Sequence, residues 1–419
     1  MENFKETTKC RICNHNIIEL IKIPEQYIGA TFVKSNENNN LANIKIPMTL
    51  MMCENCKLVQ LKETTNPTLL YTNYFYRTGI NATMKKDLNE LVNSINNYVK
   101  LNTGDTCIDI GANDMTMLSM FDDKLNRIGV EPAQNINWKK TNPSIQIINE
   151  FFTKENVIEK YPNIKAKAIT CCACFYDMDD PNKVTSDIKE LLHEDGITII
   201  QISHLLATIK DMNWQDIVHE HLEYYSLKSI EYLFEQNGLS IFHATTNFVN
   251  GGSLRIYATH SSKNLPKTPS YYDILSEENK YGLEYIKTYN EFNNRINEVT
   301  VKIKNYIIDE IEKGSKVFAL AASTKGNMLL QLCELDNTII PYISDRNPEK
   351  HGLFTLGTNM EIISEEKARE LKPDIMFVLT FHFKDEIIKR EKEYLDNGGK
   401  LLFVMPYPYF IDKNGKHTI

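Results

Sequence analysis

The sequence predicts an α/β protein of three parts: a small cysteine-bearing unit followed by two doubly wound units. Three observations carry this. Residues 1 to about 65 hold two Cys-x-x-Cys pairs and little else that could build a core. From 107 to 260 short apolar runs alternate with helical segments, among them "NRIGVEP", "AKAITCCACF", "GITIIQIS" and "GGSLRIYAT". A second alternation, "KVFALAAS", "IIPYISD", "PDIMFVLT" and "GKLLFVMP", fills the last quarter. Strands that alternate with helices in this way build mostly parallel, Rossmann-like sheets. A chain of 419 residues has room for two or three such domains, drawn at 1–70, 71–265 and 266–419.

The connecting elements follow from periodicity. In "NATMKKDLNELVNSINNYVK", Met84, Leu88, Leu91, Val92 and Ile95 recur at helical spacing. Residues from about 270 to 312 are polar and helical without a strand signal, which predicts a bridging helix or helical pair. Apolar residues make up 42% and charged residues 24%, the balance of a soluble globular chain. The net charge of −8 argues against a nucleic-acid partner, because phosphate binding favours a basic face. No apolar run approaches the roughly 20 residues of a membrane span, and the N-terminus lacks an apolar signal core. A cytoplasmic location with reduced cysteines is expected.

Cys10, Cys13, Cys53 and Cys56 form two knuckles, "CRIC" and "CENC". Two knuckles in one small unit suit a tetrahedral four-thiolate zinc site. Four protein ligands leave no open position, so this zinc is structural, and it supplies folding energy to a unit with little core.

"CIDIGAND" is an apolar strand ending in Asp109, with Gly111 allowing a close backbone approach. "RIGVEPA" follows about 20 residues later and ends in the acid Glu131. A glycine turn plus an acid after the second strand is how doubly wound folds hold a ribose-bearing cofactor. The later glycines of a dinucleotide fingerprint are missing. Asn113 and Asp114 suit S-adenosylmethionine, which has no phosphate and carries cationic groups. On this reading Glu131 accepts from the ribose hydroxyls, Asp109, Gly111 and Asn113 border the methionine moiety, and Glu150 and Phe151 flank the adenine. Phe175, Tyr176 and Asp177 end the fourth strand and are expected beside the methyl group, with a core-packing role for Phe175 equally open.

With "HEHLEYYSL", "NGGSLRIY", "STKGN", "DRNPEKHG", "LGT" at 356–358 and "REKEYLDNGGKLLF", these motifs resemble the NDP-sugar C-methyltransferases of deoxysugar pathways along nearly the whole chain. The resemblance implies a zinc-binding N-terminal domain, a class I methyltransferase domain of Rossmann-like fold, a C-terminal α/β domain and a nucleotide-sugar substrate methylated on a carbon next to its ketone. Such a carbon must lose a proton before it attacks, which requires a general base and a donor that steadies the enolate. The resemblance makes His221 the base, gives Glu220 an orienting role, and matches Tyr76, or Tyr74 if the register is two residues off, to an active-site tyrosine. His219 is read as a support residue near the substrate. Histidines at i and i+2 with Glu220 between them are poor geometry for a metal. Val218, Asn250 and Met115 stand where the family has Tyr, His and Gly. O- or N-methylation of a sugar or other small metabolite, and a non-catalytic zinc-bearing scaffold, stay open as alternatives.

Ser323, Thr324, Lys325 and Gly326 follow a buried strand at a helix start. Hydroxyls, a lysine and backbone amides there predict an anion site for the nucleotide diphosphate. His382 follows another strand end and could face the same cleft or serve a structural role.

Overall fold

The computed structural model describes residues 3–37, 39–71, 74–137 and 142–419. Among them, seven strands form the central sheet in the order Leu239–Asn247, Ser253–His260, Leu192–Ser203, Ala166–Cys172, Thr106–Ile110, Asn126–Val130, Ile145–Ile148. The last five are parallel, and Ser253–His260 runs antiparallel to both of its neighbours. This is the class I methyltransferase order. Every residue of Thr106–Ile110 is buried, as expected of a strand covered on both faces. From this strand the chain winds first to one side and then, at Ala166–Cys172, to the other. That reversal opens a crevice at the carboxyl ends.

The C-terminal sheet repeats the pattern. Lys400–Phe403, Ile375–Val378, Val317–Leu320, Tyr342–Asp345 and Glu361–Ser364 are parallel neighbours, and the order reverses between Val317–Leu320 and Ile375–Val378. Antiparallel strands extend both edges, and the outermost on one side is Phe32–Val33, donated by the N-terminal region.

The N-terminal sheet is antiparallel and also borrows a strand. Ile17–Gln26, Ile46–Cys53 and Val59–Leu61 are joined by Glu223–Tyr224 from the far end of the methyltransferase sequence. The three regions are therefore interlocked by exchanged strands.

The helix predicted near residue 84 spans Ala82–Ile95 and buries Met84, Leu88, Leu91, Val92 and Ile95. Asn81 caps it by accepting from the backbone N–H groups of Thr83 and Met84. The polar stretch near 270–312 is a helical pair, Pro269–Tyr281 and Ile286–Glu312, broken at Gly282 in the left-handed region (φ +80°). No helix among the described residues is long and apolar enough to cross a membrane.

Candidate active site

The zinc knuckles close as the spacing predicts. The Sγ atoms of Cys10, Cys13, Cys53 and Cys56 all lie within 4.8 Å of one another. Cys10 and Cys56 are 3.5 Å apart, and Cys13 and Cys53 are 3.4 Å apart. A tetrahedron of sulfurs around zinc has edges of about 3.8 Å, so the four thiols fit the metal with little movement. Among the described residues no other group of three or more His, Cys, Asp or Glu side chains converges in this way.

The cofactor cradle begins where Thr106–Ile110 ends. Gly111 has φ +68°, and a Cβ there would come within 2.4 Å of Cys174 Sγ, so the turn has room for hydrogen only. Glu131 closes it: Oε2 accepts from the N–H of Asn113 at 2.8 Å and Oε1 from that of Ala133 at 2.9 Å. Asn113 Oδ1 takes the N–H of Thr78 at 3.1 Å, and Asp114 Oδ2 takes that of Gly79 at 2.7 Å. The tyrosine-bearing segment 74–80 is thereby tied to the turn. Burial raises Glu131 and lifts Asp109 to about 8. Two acids so lifted gain from a cation, and S-adenosylmethionine brings a sulfonium and an ammonium. The donor set fits that cofactor.

Met115, in the family's glycine position, adopts a backbone conformation that favours glycine (φ 63°). Its side chain is fully buried, and its sulfur lies 2.3 Å from where a Cβ on Gly129 would stand. The absence of a side chain at Gly129 on the neighbouring strand leaves the space that the methionine fills. No α-helix follows the turn. A short 3-10 turn, Leu118–Met120, takes its place.

The loop "VHEHLEYYS" lies past the end of Leu192–Ser203. Ser226 caps the next helix, Leu227–Gln236, in a reciprocal capping box with Ser229. Val218, Glu220 and His221 line one cavity of about 340 Å³. His221 Nδ1 is buried without a hydrogen-bond partner, and the ring stands edge-on to Tyr176 with centroids 4.3 Å apart. Burial is the main force on both titratable groups. It pushes His221 down to about 4 and Glu220 up to about 7. His219 is turned away from the cavity: Nε2 reaches the carbonyl of Ile46 at 3.2 Å. It supports the loop.

The same cavity reaches from the cofactor cradle to the C-terminal domain. Gly111 and Cys174 stand at the central sheet's order reversal, and Ser323, Thr324, Thr380 and His382 at that of the C-terminal sheet. The two switch points open onto one space. Tyr74, Tyr76, Asp109, Asn113, Glu131 and Phe151 line it as well.

Several expected contacts differ. Glu150 is exposed, and the aromatic pair Phe151 and Phe152 faces the cavity instead. Phe175 is fully buried against Tyr225 and Phe234, because the 3-10 turn Phe175–Asp177 rotates it into the core and presents Tyr176 and Asp177. Ser323 Oγ is engaged as a helix cap, accepting from the N–H of Gly326 at 3.0 Å. Lys325 also lines the cavity, and there its ammonium pairs with the fully buried carboxylate of Asp216 and donates to the carbonyl of Asn250 at 3.2 Å. A carboxylate buried this deeply needs a cation, and that demand takes the lysine. Asp216, overlooked in the sequence, had one signal there: a lone acid between the apolar residues Trp214 and Ile217.

Three family models match consecutive parts of the chain: a zinc binding domain over residues 10–71, a methyltransferase domain over 80–244, and a C-methyltransferase C-terminal domain over 248–406. The chain is also 28% identical over 407 residues to C-methyltransferase NovU of Streptomyces niveus, with 96% of each covered. The C-terminal family model and this relative are both C-methyltransferases, and that is the family to which this chain is similar. It is a methyltransferase that uses S-adenosylmethionine and carries a structural zinc. Similar solved structures include an S-adenosylmethionine-dependent methyltransferase from Clostridium acetobutylicum (14% identity, 42% of this chain and 91% of that one, TM-score 0.32). Another is the CcbJ methyltransferase from Streptomyces caelestis (9% identity, 42% and 89%, TM-score 0.33).

Proposed function

We propose that this C-methyltransferase acts on a nucleotide-linked keto sugar and methylates the carbon next to the ketone through an enolate formed at the loop 218–221. The observation that carries the proposal is the single cavity in which Gly111 and Glu131, His221 and Glu220, and the C-terminal strand ends meet. Bound S-adenosylmethionine supplies an electrophilic methyl group. Glu131 holds the ribose, and Asp109 and the Gly111 backbone border the methionine end. His221 takes the proton from carbon. Held down to about 4 by burial, it is neutral through the physiological range and has an unpartnered Nδ1. Tyr74 is the better placed tyrosine for the acceptor's oxygen. Its hydroxyl, strongly raised by burial, is next most affected by the charges of Asp177 and Glu220, whereas that of Tyr76 feels Cys172 and Asp114 on the cofactor side. Closing the cavity around both reactants aligns carbon, methyl and sulfur, which is chiefly a positioning task.

A second assignment of the base has its own support. Glu220, lifted to about 7, has the basicity that general-base catalysis at neutral pH favours. The neutral His221 would then donate to the ketone oxygen. The acid limb of kcat/KM on a nucleoside-diphosphate keto-deoxysugar separates the two. A limb near 4 supports His221 as base, and a limb near 7 that vanishes in Glu220→Gln transfers the role to Glu220. Product methylated on oxygen or nitrogen would overturn the enolate chemistry altogether.

A further inference from the structure

The zinc unit does more than stabilise itself. Arg11 lies between the ligands Cys10 and Cys13, yet its side chain is only 3% exposed. Nη1 donates to the carbonyl of Leu61 at 2.6 Å and Nη2 to the hydroxyl of Thr64 at 2.7 Å. Nε faces two carboxylates, Glu223 and Asp179, each at 3.5 Å. Glu223 is two residues beyond His221. Its side chain is fully buried, neither carboxylate oxygen has a hydrogen bond, and Arg11 is the cation in ion-pair reach of it among the described residues.

The backbone runs the same way. Glu223–Tyr224 is the edge strand of the zinc unit's sheet, with Glu223 opposite Gln60. The Gln60 side chain bonds back to the knuckle, accepting from the N–H of Arg11 at 3.0 Å and donating to the carbonyl of Lys9 at 3.2 Å. Leu61 N–H donates to the carbonyl of Leu222 at 2.9 Å, and Leu222 N–H donates to that of Tyr176 at 2.8 Å. Between Val218 and Leu222 the chain has neither helix nor strand. The position of His221 and Glu220 therefore depends on how this end is anchored.

We infer that Arg11 is a positioning residue, and that through Glu223 it clamps the base-bearing loop to the zinc knuckle. A buried ion pair adds little net stability over apolar residues of the same volume, so its contribution here is geometric. A misplacement of about 1 Å at reacting groups costs about 100-fold in rate. The catalytic consequence rests on the loop's role in proton transfer proposed above. The anchoring itself does not.

The test compares Arg11→Met, Arg11→Lys and Glu223→Gln in the full chain by zinc content, S-adenosylmethionine calorimetry, hydrogen exchange of the peptide covering 218–226, and turnover on a nucleoside-diphosphate keto-deoxysugar. Arg11→Met should keep its zinc and bind the cofactor within about twofold of the parent. Its 218–226 amides should exchange about tenfold faster or more, with kcat down by about 10- to 100-fold and KM little changed. Arg11→Lys should recover part of both losses. Glu223→Gln, which leaves the knuckle intact, should reproduce them, and it decides the matter if Arg11→Met does not fold. Parental exchange and kcat in Glu223→Gln would overturn the proposal, as would zinc loss as the sole defect of Arg11→Met. Faster exchange in a protein whose His221→Ala variant keeps full turnover would retain the clamp and reject the base.

Discussion

Lys325→Met removes the cation beside Asp216 and keeps most of the methylene stem. The Asp216 side chain is fully buried, and that of Lys325 is 17% exposed. Breaking a buried pair from one side costs about 3–5 kcal/mol, because the remaining charge is uncompensated. The carboxyl can escape by taking a proton, at a cost of about 1.4 kcal/mol for each pH unit above about 3.9. That ceiling is about 5.6 kcal/mol at pH 8 but only about 1.5 kcal/mol at pH 5. The loss should therefore be about 3–5 kcal/mol at pH 8 and no more than about 1.5 kcal/mol at pH 5. The sign follows from linkage. Burial alone would raise Asp216, but Lys325, with His221, holds it below the usual range. In the parent its contribution is present above the unfolded carboxyl value and disappears as pH falls through the lower folded value. In the variant burial has lost its main opponent and raises the group, so its destabilisation grows as pH climbs above about 4. Urea melts of parent and variant at pH 5 and pH 8 read the difference directly. The double variant Lys325→Met with Asp216→Asn should recover most of the loss at pH 8. A variant as stable as the parent at pH 8, or one whose deficit is the same at both pH values, would refute the reasoning.

Three further expectations follow from the site. Glu131→Ala removes the acceptor for the Asn113 and Ala133 amides as well as the proposed ribose contact. Calorimetry should show S-adenosylmethionine binding weakened about 10- to 100-fold, the worth of a hydrogen bond to a charged group. Gly111→Ala puts a methyl within 2.4 Å of Cys174 Sγ at a positive φ. It should cost about 1–3 kcal/mol, with part restored when Cys174→Ala is added, as thermal melts would show. Cys53→Ser removes a zinc ligand, and metal analysis should find zinc content well below one per chain together with a lower Tm.

Local features were legible in the sequence. The helix at Ala82–Ile95 and the four cysteines announce themselves within a few residues, because helix periodicity and ligand spacing are short-range rules. The glycine turn and Glu131 were legible for the same reason. What was hidden depends on partners distant in the chain. Nothing near Lys325 says that its charge belongs to Asp216, and nothing near Glu223 says that it pairs with Val59–Leu61. For Phe175 the sequence left cleft and core both open, because strand-end residues of either polarity can face either, and the 3-10 turn Phe175–Asp177 takes it to the core. Met115 depends on such a partner too: its side chain fills the space left by Gly129 on an adjacent strand.

The enolate is tested most directly by solvent deuterium exchange at the carbon next to the ketone, followed by NMR on a nucleoside-diphosphate keto-deoxysugar incubated in D2O with enzyme and without S-adenosylmethionine. The proposed chemistry requires enzyme-dependent exchange at the carbon that is later methylated, reduced at least 100-fold in His221→Ala, within the usual range for a general base. A bound keto sugar that shows no exchange, yet is methylated when the cofactor is added, would contradict it.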